Sequence, residues 1–153
     1  MRGSGESGSS GCKSGDRTEV GPMARRCRVL IVEDNKEIQN LLRNALSLEG
    51  YEVTTTSISY RELDNATLSG YDIVIIDFAS TGDAGHAAAV RARALGAGVI
   101  VVGSDPVRED EGIAHAYIMK PVSVSGISEL IRETLDQTKA ECEPPPGHSS
   151  RIA

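Results

Sequence analysis

Tryptophan is absent, phenylalanine occurs once, and aromatic residues are 3% of the 153. A core must therefore be assembled from valine, isoleucine, leucine and alanine. Long apolar runs are also missing. None approaches the roughly 20 residues needed to cross a bilayer, so no membrane partner is expected. No segment joins a basic start, an apolar centre and a small-residue cleavage site, so no signal peptide is expected either. There is no basic surplus: 16 Lys and Arg against 22 Asp and Glu give a net charge of −6, which leaves the chain as a whole without a nucleic-acid footprint. The three cysteines, Cys12, Cys27 and Cys142, have no metal-type spacing. Reduced thiols in a cytoplasmic protein are the expected state. The length suits one domain rather than two.

What is present alternates. Residues 1–25 are rich in Gly and Ser without apolar periodicity and read as a disordered extension. A domain is expected over 26–138, and a disordered tail over 139–153, where Glu-Pro-Pro-Pro occurs. The basic cluster Arg25, Arg26 and Arg28 reads as a solvated flank. Within the domain, strands are predicted over 27–32, 51–56, 72–76, 99–102 and 116–119. Helices are predicted over 36–48, 61–68, 84–94 and 128–138. Ile38, Leu41, Leu42, Ala45 and Leu46 fall on one face of the first helix, with Asn35 as its N-cap and Gly50 as its stop. Strands alternating with helices imply a parallel sheet covered on both faces, an α/β doubly wound architecture.

Charged residues stand at the ends of three of these strands. Glu33 and Asp34 follow Val29-Leu30-Ile31-Val32, Asp77 follows Ile73-Val74-Ile75-Ile76, and Lys120 with Pro121 follows Tyr117-Ile118-Met119. The carboxyl ends of parallel strands form the rim where open α/β sheets bind ligands. Three acids converging there repel one another unless a hard divalent cation is bound. Singly, each motif has an ordinary explanation: a favourable charge at a helix N-terminus, a solvated strand-end acid, a Lys-Pro loop. Their joint order and spacing are far more specific.

In that order and spacing the chain resembles the receiver domain of two-component response regulators, over about Cys27 to Thr138. The resemblance implies a flavodoxin-like five-stranded sheet of order 2-1-3-4-5. It implies Asp77 as phosphoacceptor, with Mg²⁺ held by Asp34, by Asp77, by Glu33 through water, and by the backbone carbonyl of Ala79. Lys120 would contact the phosphoryl group, and Pro121 would be a cis-proline. It further implies a signalling protein rather than an enzyme, with a histidine kinase or histidine phosphotransfer protein as donor. With no output domain expected after the last helix, the signal would leave by contact with a downstream protein.

The chain departs from that pattern at the switch position after the fourth strand. Gly103 stands where most receivers carry Thr or Ser. Ser104 is the nearby hydroxyl, so either the register shifts by one and Ser104 substitutes, or the switch residue is missing. Tyr117 matches the aromatic switch position, which moves inward with that hydroxyl; an ordinary edge-of-core tyrosine is the alternative. The segment between Gly103 and Tyr117 is short, so a shortened fourth helix of one or two turns is expected there. The loop Phe78-Ala79-Ser80-Thr81-Gly82 is unusual for the family, and His86, His115 and His148 read as structural or solvent-facing. Two other readings remain: a binding module of the same fold that does not switch by phosphorylation, and a small flavodoxin-like enzyme or nucleotide binder. The last would want a Gly-rich phosphate loop after the first strand, where this chain has Glu33-Asp34-Asn35.

Overall fold

The aliphatic runs form strands because both faces of each central strand are buried. The structure, a computed structural model, describes residues 25–58, 63–104 and 112–145. The strands are β1 (Arg28–Val32), β2 (Glu52–Thr56), β3 (Ile73–Asp77), β4 (Gly98–Gly103) and β5 (Ala116–Met119), and the helices α1 (Lys36–Glu49), α2 (Asn65–Leu68), α3 (Phe78–Ala94) and α4 (Val124–Thr138). All strand pairs are parallel, in the order β2-β1-β3-β4-β5. The sheet is thus the flavodoxin-like 2-1-3-4-5 arrangement. The expected shortened fourth helix, between β4 and β5, falls on residues 105–111 and lies outside the described residues.

Alternation along the strands divides the core in two. Val29, Ile31, Ile73, Ile75, Ile100 and Val102 face Leu42 and Leu46 of α1 and Ile127, Ile131 and Leu135 of α4. Leu30, Val32, Val74, Ile76, Val99 and Val101 face Leu68 of α2 and Ala88, Ala89 and Ala92 of α3. Cheap local chemistry sets the helix ends. The Asn35 side chain accepts from the Glu37 and Ile38 N–H groups, and Gly50 closes α1 at φ 114°. Ser123 caps α4 by accepting from Gly126 N–H.

Several expectations are corrected. Leu41 is 59% exposed, and the buried face of α1 is Gln39, Leu42 and Leu46. The last helix begins at Val124 rather than 128, because the Ser123 cap outweighs Gly126 in the first turn. The second helix is described from Asn65, capped by Asp64; residues 61 and 62 lie outside the described residues. The segment expected as a loop after Asp77 is helical, so α3 starts at Phe78 and is interrupted at Gly82 (φ 60°, ψ −135°).

The ends of the domain differ most. Arg25 is exposed, as a solvated flank should be, but it is also tied down: its guanidinium donates two 2.8 Å bonds to Asp72, whose Oδ2 also accepts from Arg28 N–H at 2.8 Å. Burial works to raise the Asp72 pKa, but the Arg25 and Arg28 bonds and charges outweigh it and hold the carboxyl below its ordinary value. Arg28 donates to Gly70 O and lies over the Tyr71 ring at 4.9 Å. Residues 139–145, expected to be disordered, fold back along the start of β1. Glu143 N–H donates to Arg25 O at 2.9 Å, and Arg132 donates to Pro145 O. Cys27 and Cys142 are joined in a disulfide across 115 residues, not reduced. The tail is polar and proline-rich, so local reading sees nothing to order it. What orders it is distant: the Cys27 thiol and the apolar seat taken by Ala140 and Cys142. Residues 1–24 and 146–153, with Cys12 and His148, lie outside the described residues.

Candidate functional site

Parallel pairing brings the ends of β1, β3 and β5 to one rim. Asp77, the last residue of β3, is 4% exposed, and Glu33, just past β1, is 3% exposed. Two buried carboxyl groups demand partners. Asp77 Oδ1 accepts from Ala79 N–H at 2.9 Å, and Lys120 Nζ lies 2.7 Å from Oδ2. Burial pushes the Asp77 pKa upward, but a side-chain hydrogen bond with Glu33, the Lys120 bond and charge, and the Ala79 N–H prevail and hold it below the ordinary carboxylate value. Lys120 at 2.7 Å favours the charged form of Asp77.

Lys120 reaches the acid because its own N–H donates to Gly103 O at 2.8 Å, which fixes the end of β5 beside β4. The Lys120–Pro121 peptide that follows is cis. Glu33 Oε2 accepts from Asn35 N–H at 3.0 Å, and Asp34 Oδ1 accepts from Ile58 N–H at 2.9 Å. Gln39, missed in the sequence, is 5% exposed and donates from Nε2 to the carbonyls of Glu33 and Thr56. It ties the acidic turn to the end of β2. The available signal was a polar residue beside Ile38 and Leu42 at the start of an amphipathic helix.

Glu33, Asp77 and Lys120 are thus brought together, with Asp34 next in the chain but turned to the β2–α2 loop. Elsewhere among the described residues, ligand atoms of Cys27, Asp72 and Cys142 lie within 4.8 Å of one another. That group offers no free ligand set, because its sulfurs are bonded to each other and Asp72 is taken by Arg25. At the rim the donors are hard oxygens, each acid steadied by one backbone N–H, and that chemistry fits Mg²⁺, which takes few protein ligands and several waters. Glu33 and Asp77 border a cavity of about 210 Å³ walled by Ile38, Leu42, Val122, Val124 and Ile127.

Of the switch candidates, Ser104 is exposed beyond β4, and Tyr117 is half-buried on the α2–α3 side of the sheet. Tyr117 lies close over Gly103. His115 is structural: its Nδ1 accepts from Val99 N–H at 3.0 Å.

Comparison with known proteins agrees with this fold. A receiver domain protein (CheY-like) from Methanospirillum hungatei superposes with a TM-score of 0.61 at 26% identity, covering 74% of this chain and 97% of that one. The chain has the fold of response regulator receiver domains and resembles them in sequence. The Thermotoga maritima response regulator TrrA, solved with Mg²⁺ and beryllofluoride, superposes at 0.57 with 26% identity over 71% of this chain and 99% of that one. By sequence the receiver domain is 30% identical to the nisin biosynthesis regulatory protein of Lactococcus lactis over 103 residues, which are 63% of this chain and 45% of that protein. It is 29% identical to an uncharacterized transcriptional regulatory protein of Bacillus subtilis over 75% of this chain and 54% of that one. The chain spans about half the length of these curated relatives. No family model matches it.

Proposed function

We propose that the receiver domain accepts a phosphoryl group on Asp77 from a histidine kinase or histidine phosphotransfer protein, with Mg²⁺. The observation that carries this reading is the buried Asp77 carboxyl group at the end of the central strand, 2.7 Å from Lys120. A carboxylate is a weak nucleophile, so acceptance depends on position and on cancelled charge. Ala79 N–H orients one oxygen of Asp77. Lys120 supplies a mobile positive charge, able to pass from Asp77 to an incoming phosphoryl oxygen. Asp34, Asp77, Glu33 through water, and the Ala79 carbonyl would hold Mg²⁺, and the charge neutralisation that phosphoryl transfer needs would come from it when bound. The TrrA relative, solved with Mg²⁺ and a phosphoryl mimic, supports carrying this chemistry over. Output would pass by contact with a downstream protein.

The test is labelling with acetyl phosphate or kinase and Mg²⁺. Wild type should take one base-labile, hydroxylamine-sensitive label, and Asp77→Asn should take none. Label that persists in Asp77→Asn, or that maps to Ser80 or Thr81, refutes the assignment. Amide shifts near residues 33–35 and 77–79 should report millimolar Mg²⁺ and should disappear in Asp34→Ala. A receiver-fold module that does not switch by phosphorylation is the second reading. It is favoured by one observation, the tyrosine already packed over Gly103.

A further inference from the structure

Gly103 has no backbone reason to be glycine, since it is the last residue of β4 and its φ lies outside the left-handed range. Its reason is space. A Cβ built on Gly103 would stand 2.2 Å from Tyr117 Oη, 2.9 Å from Cζ and 3.5 Å from Cε2. These three nearest atoms all belong to the same ring. Tyr117 pairs with Val101, two residues before Gly103, so its ring runs forward along β4 by about two residue rises, roughly 6–7 Å. On the way it packs beside the cluster that includes Val101 and Ile76. The phenol ends over a bare α-carbon whose carbonyl accepts from Lys120 N–H, one strand away from Asp77.

We propose that Gly103 is a positioning residue for Tyr117. The glycine leaves room that the phenol fills, and the ring stays inward whether or not Asp77 carries a phosphoryl group. A Cβ at 103 would stand 2.2 Å from the inward phenol oxygen, so no side chain at position 103 gates the tyrosine in this chain. Turning the ring out would open a void above Gly103, and its lining would lose contacts without replacement. The edge strand β5 therefore presents the same tyrosine geometry before and after modification. Any partner reading that edge meets a preset surface. The reading rests on the proposed function only for what modifies Asp77; the glycine–tyrosine pair stands apart from it.

Two measurements decide it. The first is the NOE between the Tyr117 ring protons and the Gly103 α-protons, recorded without and with Mg²⁺ and beryllofluoride. The cross-peaks should be present and equally strong in both samples, while amide shifts at 77–79 confirm that the mimic has bound. Cross-peaks that appear only with the mimic overturn the proposal. If the shifts at 77–79 are absent, the phosphoryl reading fails, and the free-state cross-peaks still decide the pair. The second is a double-mutant cycle. Gly103→Ala should lower the denaturation midpoint and abolish the cross-peaks when Tyr117 is present. In a Tyr117→Ala background the same change should be neutral or raise the midpoint, because alanine restricts the unfolded chain. An equal loss in both backgrounds overturns the pairing.

Discussion

His115 accepts the Val99 N–H at Nδ1, and this requires a neutral ring nitrogen. Burial lowers its pKa first, and the charge of Arg93 lowers it further. The sign follows from proton counting. Below the ordinary value of 6.5 the unfolded chain takes a proton that the folded chain refuses, so unfolding gains. His115 stabilisation is thus complete above 6.5 and is lost as pH falls from there through the folded pKa. In His115→Asn an amide oxygen can take the Val99 bond and does not titrate. Its denaturation midpoint should fall less than wild type between pH 7.5 and 5.5. Equal declines would mean that the ring is not held neutral. At this scale Asp77, Glu33 and Lys120 were legible, because a charged residue terminating an apolar strand needs only the strand to place it. The meaning of Gly103 was not legible. As a missing hydroxyl it looked like a defect, and only the cross-strand packing of Tyr117 shows what fills the space.

Strands were legible as elements and α3 was not, for a physical reason. A strand buried on both faces reads as a continuous aliphatic run, whereas the first turn of α3, Phe78-Ala79-Ser80-Thr81, carries no apolar period. Its first turn is held by a tertiary setting: Asp77 Oδ1 takes the Ala79 N–H, and Thr81 Oγ1 donates to the Asp77 carbonyl at 2.8 Å. Gly82 then breaks the helix at φ 60°, ψ −135°, a region open essentially to glycine. Nothing lies within 4 Å of a Cβ built there. Gly82→Ala should therefore cost about 1–3 kcal/mol by backbone strain alone, in contrast to Gly103, where the obstacle is a side chain. Urea denaturation of the two alanine variants, each with and without Tyr117→Ala, separates the causes: removing the tyrosine should rescue only the 103 variant. Gln39 belongs to this scale too. Gln39→Leu removes the buried donor to the Glu33 carbonyl, while Thr56 O keeps the Glu33 N–H; the expected loss is about 1–3 kcal/mol, read as a lower urea midpoint with the fold retained.

Across the whole molecule the two ends of the parallel strands do different work. The carboxyl ends gather Glu33, Asp77 and Lys120; the amino ends gather Arg25, Asp72 and the Cys27–Cys142 disulfide. The second assembly was invisible to local reading because its parts lie 47 and 115 residues apart. The disulfide closes most of the chain into one loop, so it constrains the unfolded ensemble strongly; the chain-entropy account gives between 4 and 5 kcal/mol for about 100 residues, and about 2–5 is typical on removal. Cys142→Ser should lose stability in that range under non-reducing conditions, and reduction should bring wild type to the same midpoint. A thiol count on denatured, unreduced protein should find one reactive cysteine, Cys12, and three after reduction. Phosphoryl acceptance offers the sharper check. Because the disulfide sits at the amino ends and Asp77 at the carboxyl ends of the same strands, Cys142→Ser should label at Asp77 as readily as wild type at temperatures where both are folded. Labelling lost on reduction while the fold persists would mean that the tail supports the acidic rim through the sheet, and the separation of the two ends would have to be abandoned.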